Sequence, residues 1–183
     1  MMISKRLLAQ VALLARDHCA AKGYTSGRNW NPLNPQDSVA AWAMAMRLTG
    51  SGTVDEYIAI APEGHAYGFF FERVGIPVLS IFVDYPPTRI ATSDDLSLIR
   101  GRRVLLIEDD IVSGASLGLV MKELTRHEPS SVSLYLGREK ECQQLQNIPS
   151  RIDGIFLAED VLGPADRCRH ESEFINFFQN FGH

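Results

Sequence analysis

The sequence predicts an α/β fold, a single doubly wound and mainly parallel sheet with helices on both faces. Short apolar runs at residues 57–61, 78–83, 104–107, 132–136 and 155–157 read as buried strands. Segments of helical period alternate with them, and that alternation argues for parallel strands covered on both sides. The length of 183 residues, 45% hydrophobic and 22% charged, suits one domain able to bury most of its apolar surface.

Taken in order, Ile3, Leu7, Val11 and Leu14 recur at helical spacing and predict an amphipathic first helix. Residues 23–35, rich in Gly, Asn and Pro, predict a loop. A second helix is expected to be capped by Asp37 or Ser38 and to bury Val39, Trp42, Ala43, Met46 and Arg47 before the Thr49-Gly50-Ser51-Gly52 stop. The run at 57–61 enters the turn Pro62-Glu63-Gly64, and a helix from about His65 to Val74 closes at Gly75 and Pro77. Residues 85–95 hold two prolines and several hydroxyl side chains and predict a long polar excursion of the kind used as a lid or binding loop. Leu117, Val120, Met121 and Leu124 give a later helix its buried stripe, and Phe174 to Phe178 suggest a last one. Phe69, Phe70 and Phe71, with Phe174, Phe177 and Phe178, are expected in the core.

The net charge of −4 gives no broad basic field, so nucleic acid is not an expected partner. No stretch approaches the roughly 20 apolar residues needed to span a bilayer, and Gln10 with Arg16-Asp17 argue against a signal peptide at the N-terminus. The cysteines Cys19, Cys142 and Cys168 are odd in number and lack C-x-x-C spacing. A reduced, cytoplasmic protein without a structural zinc is the simpler expectation.

The chemistry is concentrated in VLLIEDDIVSGAS, residues 104–116. A buried strand, a run of carboxylates, a short Ser/Gly turn and a helix start follow one another. In open parallel sheets ligands bind beyond the carboxyl ends of strands, where the first turn of a helix offers unpaired N–H groups. A phosphate seated on Val112, Ser113, Gly114, Ala115 and Ser116 would take several of those groups and two hydroxyls, with Gly114 allowing close approach. The acids upstream repel phosphate but accept hydrogen bonds from hydroxyls or coordinate a hard cation. A sugar carrying both a phosphate and vicinal hydroxyls satisfies both halves.

This segment resembles the phosphoribosyl pyrophosphate motif of type I phosphoribosyltransferases: four aliphatics, an acidic pair, two mostly aliphatic positions, then a Thr/Ser/Gly loop. The resemblance implies that Glu108 and Asp109 hold the ribose hydroxyls and meet a magnesium ion directly or through water. Asp110 and Ile111 would line the same site, and Val112 to Ser116 would bind the 5-phosphate. It also implies a loop that cups pyrophosphate through main-chain N–H groups, here Pro62, Glu63, Gly64 and His65, with Gly64 as the close-approach residue. Further implications are a core of about residues 36–140, a small hood or flanking helices from the terminal segments, and a homodimer. The activity implied is transfer of the phosphoribosyl group to a nitrogenous base or related acceptor.

Several residues depart from the family pattern. Glu63 stands where many relatives carry a basic residue, and a glutamate beside pyrophosphate costs electrostatic energy unless it points away or a cation intervenes. His65 offsets it if protonated, or is a surface histidine without a role. Asp110 follows the acidic pair where an aliphatic residue is usual; it is a third metal-facing carboxylate, a helix cap, or the partner of a nearby arginine. Val112 stands where purine-salvage relatives have an aspartate near the base, and valine accepts no proton. Arg89 either reaches the pyrophosphate as its loop closes or faces solvent. Tyr135 and Arg138 lie where family members recognise the base.

Rival readings remain. The same pocket without transfer activity would make a regulatory or nucleotide-binding protein, and another leaving group would make a specialised transferase or hydrolase. A plain solvated loop with a helix cap explains the acids and the Ser-Gly turn without a ligand. A two-component receiver domain also ends a strand in paired acids, but Asp153 precedes its apolar run instead of ending it, and the long N-terminal portion has no place in that plan.

Overall fold

The computed structural model describes residues 3–23, 35–84, 89–138, 143–163 and 166–180. Six strands form one sheet in the order β3-β2-β1-β4-β5-β6. They are β1 (Glu56–Ala61), β2 (Leu79–Val83), β3 (Ile90–Ala91), β4 (Arg103–Glu108), β5 (Ser131–Leu136) and β6 (Gly154–Leu157). All neighbours are parallel except β3, which runs antiparallel to β2 through Phe82↔Ala91 and Val83↔Ile90. The chain moves outward from β1 to β2 and β3, then returns to the other side of β1 with β4. Strand order therefore reverses between β1 and β4, and their carboxyl ends flank the crevice where such sheets take ligands.

Both sheet faces are covered, which is why the strands read as continuous apolar runs. Tyr57, Ala59, Leu105, Ile107 and Tyr135 face one core, while Ile58, Ile60, Val104, Leu106, Val132 and Leu134 face the other. The first core is closed by α1 (Lys5–Ala21), α2 (Pro35–Leu48), α3 (Glu63–Arg73) and α6 (Arg167–Gln179). The terminal segments thus supply flanking helices to the α3 layer. The short α5 (Ala158–Val161) follows β6 and packs on α2. The second core is closed by α4 (Ala115–Arg126), whose buried Leu117, Val120, Met121 and Leu124 are the predicted stripe. Fully burying each such side chain contributes about 1.5–3 kcal/mol.

At the amino ends of the strands, Arg103 holds Asp55 by two side-chain bonds of 3.0 and 2.8 Å, and its own backbone N–H adds a third at 2.9 Å. These bonds keep the Asp55 carboxyl well below the usual carboxylate range. Asp153 bridges β5 and β6, accepting from the Val132 amide at 2.7 Å. Both anchors fix register at the end of the sheet opposite the crevice.

Some elements differ from expectation for readable reasons. The first helix buries Leu7 and Val11 and packs partly buried Ile3 and Leu14 on the core as expected, and its buried stripe runs on through Ala15 and Cys19. Helix α2 starts at Pro35, so Asp37 and Ser38 lie inside its first turn and are buried instead of capping it. Residues 39–45 are buried all round, whereas Met46 is exposed along with Arg47. Within the segment read as a lid, residues 85–88 lie outside the described residues. The remainder doubles back on β2: Ser80 donates from its amide to Asp94 at 2.6 Å and accepts from Thr92 Oγ1 at 2.6 Å. Cys19 and Cys168 are free thiols, the first buried, and Cys142 lies outside the described residues.

Candidate functional site

The site begins with two strand ends brought side by side. β1 leaves the sheet through a cis Ala61–Pro62 peptide directly into α3. At Gly64 an added Cβ would overlap the Ile107 carbonyl oxygen and press on Glu108 Cα. The close approach predicted for Gly64 is therefore to the backbone of β4. It sets the first turn of α3 against the residue that opens the acidic run.

Glu108 ends β4 and is buried, with 7% of its surface exposed. Its Oε1 accepts from the Asp109 amide at 3.0 Å. Burial, reinforced by the charge of Asp109, pushes its carboxyl well above the ordinary range. Burial also pushes Asp109 up to about 6, with the charges of Asp110 and Glu63 adding to it. Glu63 thus belongs to the same electrostatic neighbourhood and raises both carboxyls. Such a pair resists carrying its full charge until hydroxyl donors or a cation arrive.

The shift has a measurable consequence. Asp109 lies above its ordinary 3.8 in the folded chain, which therefore holds that proton more tightly than the unfolded chain does. The resulting stabilisation is complete below an ordinary aspartate's range and is lost as pH rises through about 6. Asp109→Asn is expected to become more stable relative to the natural chain as pH rises from about 4 to about 7.5. Urea unfolding at both values checks this, and a constant difference would contradict it.

The following loop is held from behind by the segment after β5. Gly137 and Arg138 donate their amides to the carbonyls of Glu108 at 2.9 Å and Asp109 at 3.0 Å. The Arg138 side chain pairs with Asp110 and lies 3.9 Å from Asp109. Of the three roles open to Asp110, the structure shows the ion pair with an arginine. Gln143 accepts from the Ile111 amide at 2.9 Å and donates to the carbonyls of Asp109 and Arg138, each at 3.3 Å. The Gln144 amide donates to the Ile111 carbonyl at 2.7 Å, and Asn147 Nδ2 to the Val112 carbonyl at 2.6 Å. Gln143→Ala would strand the amide of buried Ile111, a loss of about 1–3 kcal/mol. Hydrogen exchange at Ile111 is expected to speed up about tenfold or more, whereas an unchanged rate would show that the clamp is dispensable.

Gly114 precedes α4 in the left-handed region at φ 73°, and a Cβ there would overlap the Asn147 carbonyl oxygen. The crowding that demands glycine comes from Asn147, where an approaching anion was expected. The amide of Ala115 makes a long bond of 3.3 Å to Ser113 Oγ, and that of Gly118 closes the first helical turn on Gly114 at 2.8 Å. Among the described residues, the amides of Val112, Ser113, Gly114, Ser116 and Leu117 have no protein acceptor. They form a set of donors at the positive end of a 12-residue helix. The Val112 side chain is 64% exposed beside them.

Other expected participants stand elsewhere. His65 is fully buried, its Nδ1 3.4 Å from Ser80 Oγ and its ring against His18. Burial, then the charges of Lys22 and His18, lower it to about 4, so at neutral pH it brings no positive charge to Glu63. Arg89 lies at the carboxyl end of β2, exposed and bonded to Asp84 at 3.0 Å. Tyr135 is buried against Phe71 in the first core and presents no ring to a ligand. Tyr67, which the sequence did not single out, lies over Gly137, and the charges of both Asp37 and Asp109 reach it. Burial, with those charges, raises its hydroxyl far above the usual range. Gln143 and Asn147 were also missed, since their partners lie 32 to 35 residues away and leave no local pattern.

Fold and loop geometry define a mainly parallel α/β protein with its crevice at the reversal of strand order. No family model and no curated protein matches the chain. Solved structures with a similar chain path include a hypoxanthine-guanine phosphoribosyltransferase from Bacillus anthracis, 16% identical over 67% of this chain and 76% of that one, with a TM-score of 0.47. A purine phosphoribosyltransferase from Pyrococcus horikoshii is 21% identical over 67% and 81%, with a TM-score of 0.48. A hypothetical protein from Neisseria gonorrhoeae with bound ppGpp is 18% identical over 79% and 96%, with a TM-score of 0.49.

Proposed function

We propose that the chain binds 5-phosphoribosyl pyrophosphate with magnesium in the β1/β4 crevice and transfers the phosphoribosyl group to a nitrogenous base or related acceptor. The observation that carries this reading is a juxtaposition. Two carboxyls held above their ordinary pKa, buried Glu108 and half-buried Asp109, stand a few residues before a helix start whose amides, among the described residues, lack protein acceptors. Hydroxyls suit the first group and a phosphate suits the second; ribose 5-phosphate carries both.

Glu63, Glu108 and Asp109 supply hard oxygen donors, yet among the described residues they do not converge into a three-ligand cage. Magnesium, which keeps several waters and uses one or two carboxylates, fits that arrangement, with Glu108 and Asp109 as its holders. When bound it would offset the charge of carboxylates and pyrophosphate together. The chain's own part is positioning: the acids fix the ribose diol, the α4 amides fix the 5-phosphate, and the acceptor nitrogen meets C1. The N–C1 bond forms as the C1–O bond breaks, and pyrophosphate leaves with the electron pair. The acceptor's proton goes to pyrophosphate or water, because Val112 cannot take it.

A second reading, binding without transfer, is favoured by the charges around the crevice. Glu63 raises the acid pair instead of neutralising pyrophosphate, His65 is buried and lowered to about 4, and Arg138 is engaged by Asp110. Calorimetry with 5-phosphoribosyl pyrophosphate, with magnesium and with chelator, is expected to give binding that depends on the metal. Pyrophosphate release is then measured over a panel of bases. Release with one of them supports transfer, binding without release supports the second reading, and no binding in either condition removes both.

A further inference from the structure

Where α1 crosses α3, a second group of ionisable side chains gathers apart from the acid pair. His65 and Glu72 stand two turns apart on α3, and His18 reaches them from α1. His18 Nε2 lies 2.7 Å from Glu72 Oε2, and the rings of His18 and His65 are near-parallel with centroids 5.1 Å apart. One ligand atom from each of the three lies within 4.8 Å of the others. His65 is fully buried, whereas the side chains of His18 and Glu72 are 15% and 20% exposed, so solvent reaches the group from one side.

We propose that His18, His65 and Glu72 form a binding site for a divalent transition-metal ion of the zinc type. Two imidazoles and one carboxylate suit zinc and its neighbours, leaving a position for water, and the nitrogen donors disfavour magnesium and calcium. A tetrahedral ion with bonds of about 2.0–2.1 Å holds its ligand atoms roughly 3.3 Å apart. The three ligand atoms, within 4.8 Å of one another, would draw together by rotation of the partly exposed His18 and Glu72 side chains.

Lys22 is the built-in competitor, since its ammonium pairs with the other oxygen of Glu72. An ion here would tie α1 to the helix whose first residue, Glu63, belongs to the crevice. The cysteine spacing gives no hint of this site, because none of its ligands is a thiolate.

Cobalt(II) titration of the full chain, followed by visible absorption, tests the proposal. One ion per chain should bind with the intense bands of low-coordinate cobalt, and zinc should displace it. His18→Gln and Glu72→Gln should each weaken binding by at least about tenfold, the loss that even outer partners of a ligand produce. Lys22→Met should strengthen it by removing the competitor, a gain that a merely structural ion pair would not produce. Asp109→Asn should leave it unchanged, which separates this site from the crevice. Absence of the bands, bands that survive Glu72→Gln in a folded variant, or weaker binding in Lys22→Met would overturn it.

Discussion

Asp109→Ala is expected to lower affinity for 5-phosphoribosyl pyrophosphate about 100-fold while leaving the fold at least as stable. The first half follows from the loss of one hydrogen bond from a ribose hydroxyl to a charged carboxylate, worth about 1.5–3 kcal/mol, the upper end of which is about 100-fold. The second follows from burial, which holds the Asp109 carboxyl up at about 6 and makes its charge a burden to the unliganded fold at neutral pH. Glu63→Ala provides the contrast. Its removal takes a like charge away from Glu108 and Asp109, so affinity should change by less than about threefold, or improve. Calorimetry on both variants, with melting curves as the control, reads the outcome. Equal losses would mean that the sugar sits on the loop after β1 instead.

The second large effect concerns the seam between the two strand ends. Gly64→Ala places a methyl group against the Ile107 carbonyl, a backbone atom inside the sheet that cannot swing aside as a side chain would. Overpacking of this kind costs about 1–3 kcal/mol, and a chain of this size loses roughly 2–4 °C per kcal/mol. A fall in Tm of about 5 °C or more is expected, with weaker ligand binding because the crevice wall moves. A Gly64→Ala variant that melts and binds as before would show that α3 has slack over β4.

Much of this was legible in the chain. The strands at β1, β4 and β5 were, because most of their residues are buried and their apolar runs are dominated by Val, Leu, Ile, Ala and Tyr. The stripe of α4 was, because solvent covers one side of that helix and the period survives. Helix α2 was less so: with residues 39–45 buried all round, no face stands out, and Met46 was assigned to the wrong side. At the site, the acidic pair and the helix start follow one another in sequence and could be read directly. What holds them could not. Arg138, Gln143 and Asn147 reach back across 28 to 35 residues, and Gly64 and Gly114 serve neighbouring backbone where ligand approach was expected. His65 looked like a loop residue because the turn before it is polar, yet the packing of α1 on α3 buries it completely.

In the proposed complex the start of α4 receives a phosphate while the neighbouring acids hold its sugar. Titrating the 15N-labelled chain with ribose 5-phosphate tests it most directly. The amide signals of Ser113, Gly114 and Ser116 are expected to move together and saturate, and Asp109→Asn to weaken this response without erasing it. Shifts gathered on another part of the fold, or none at millimolar ligand, would contradict it.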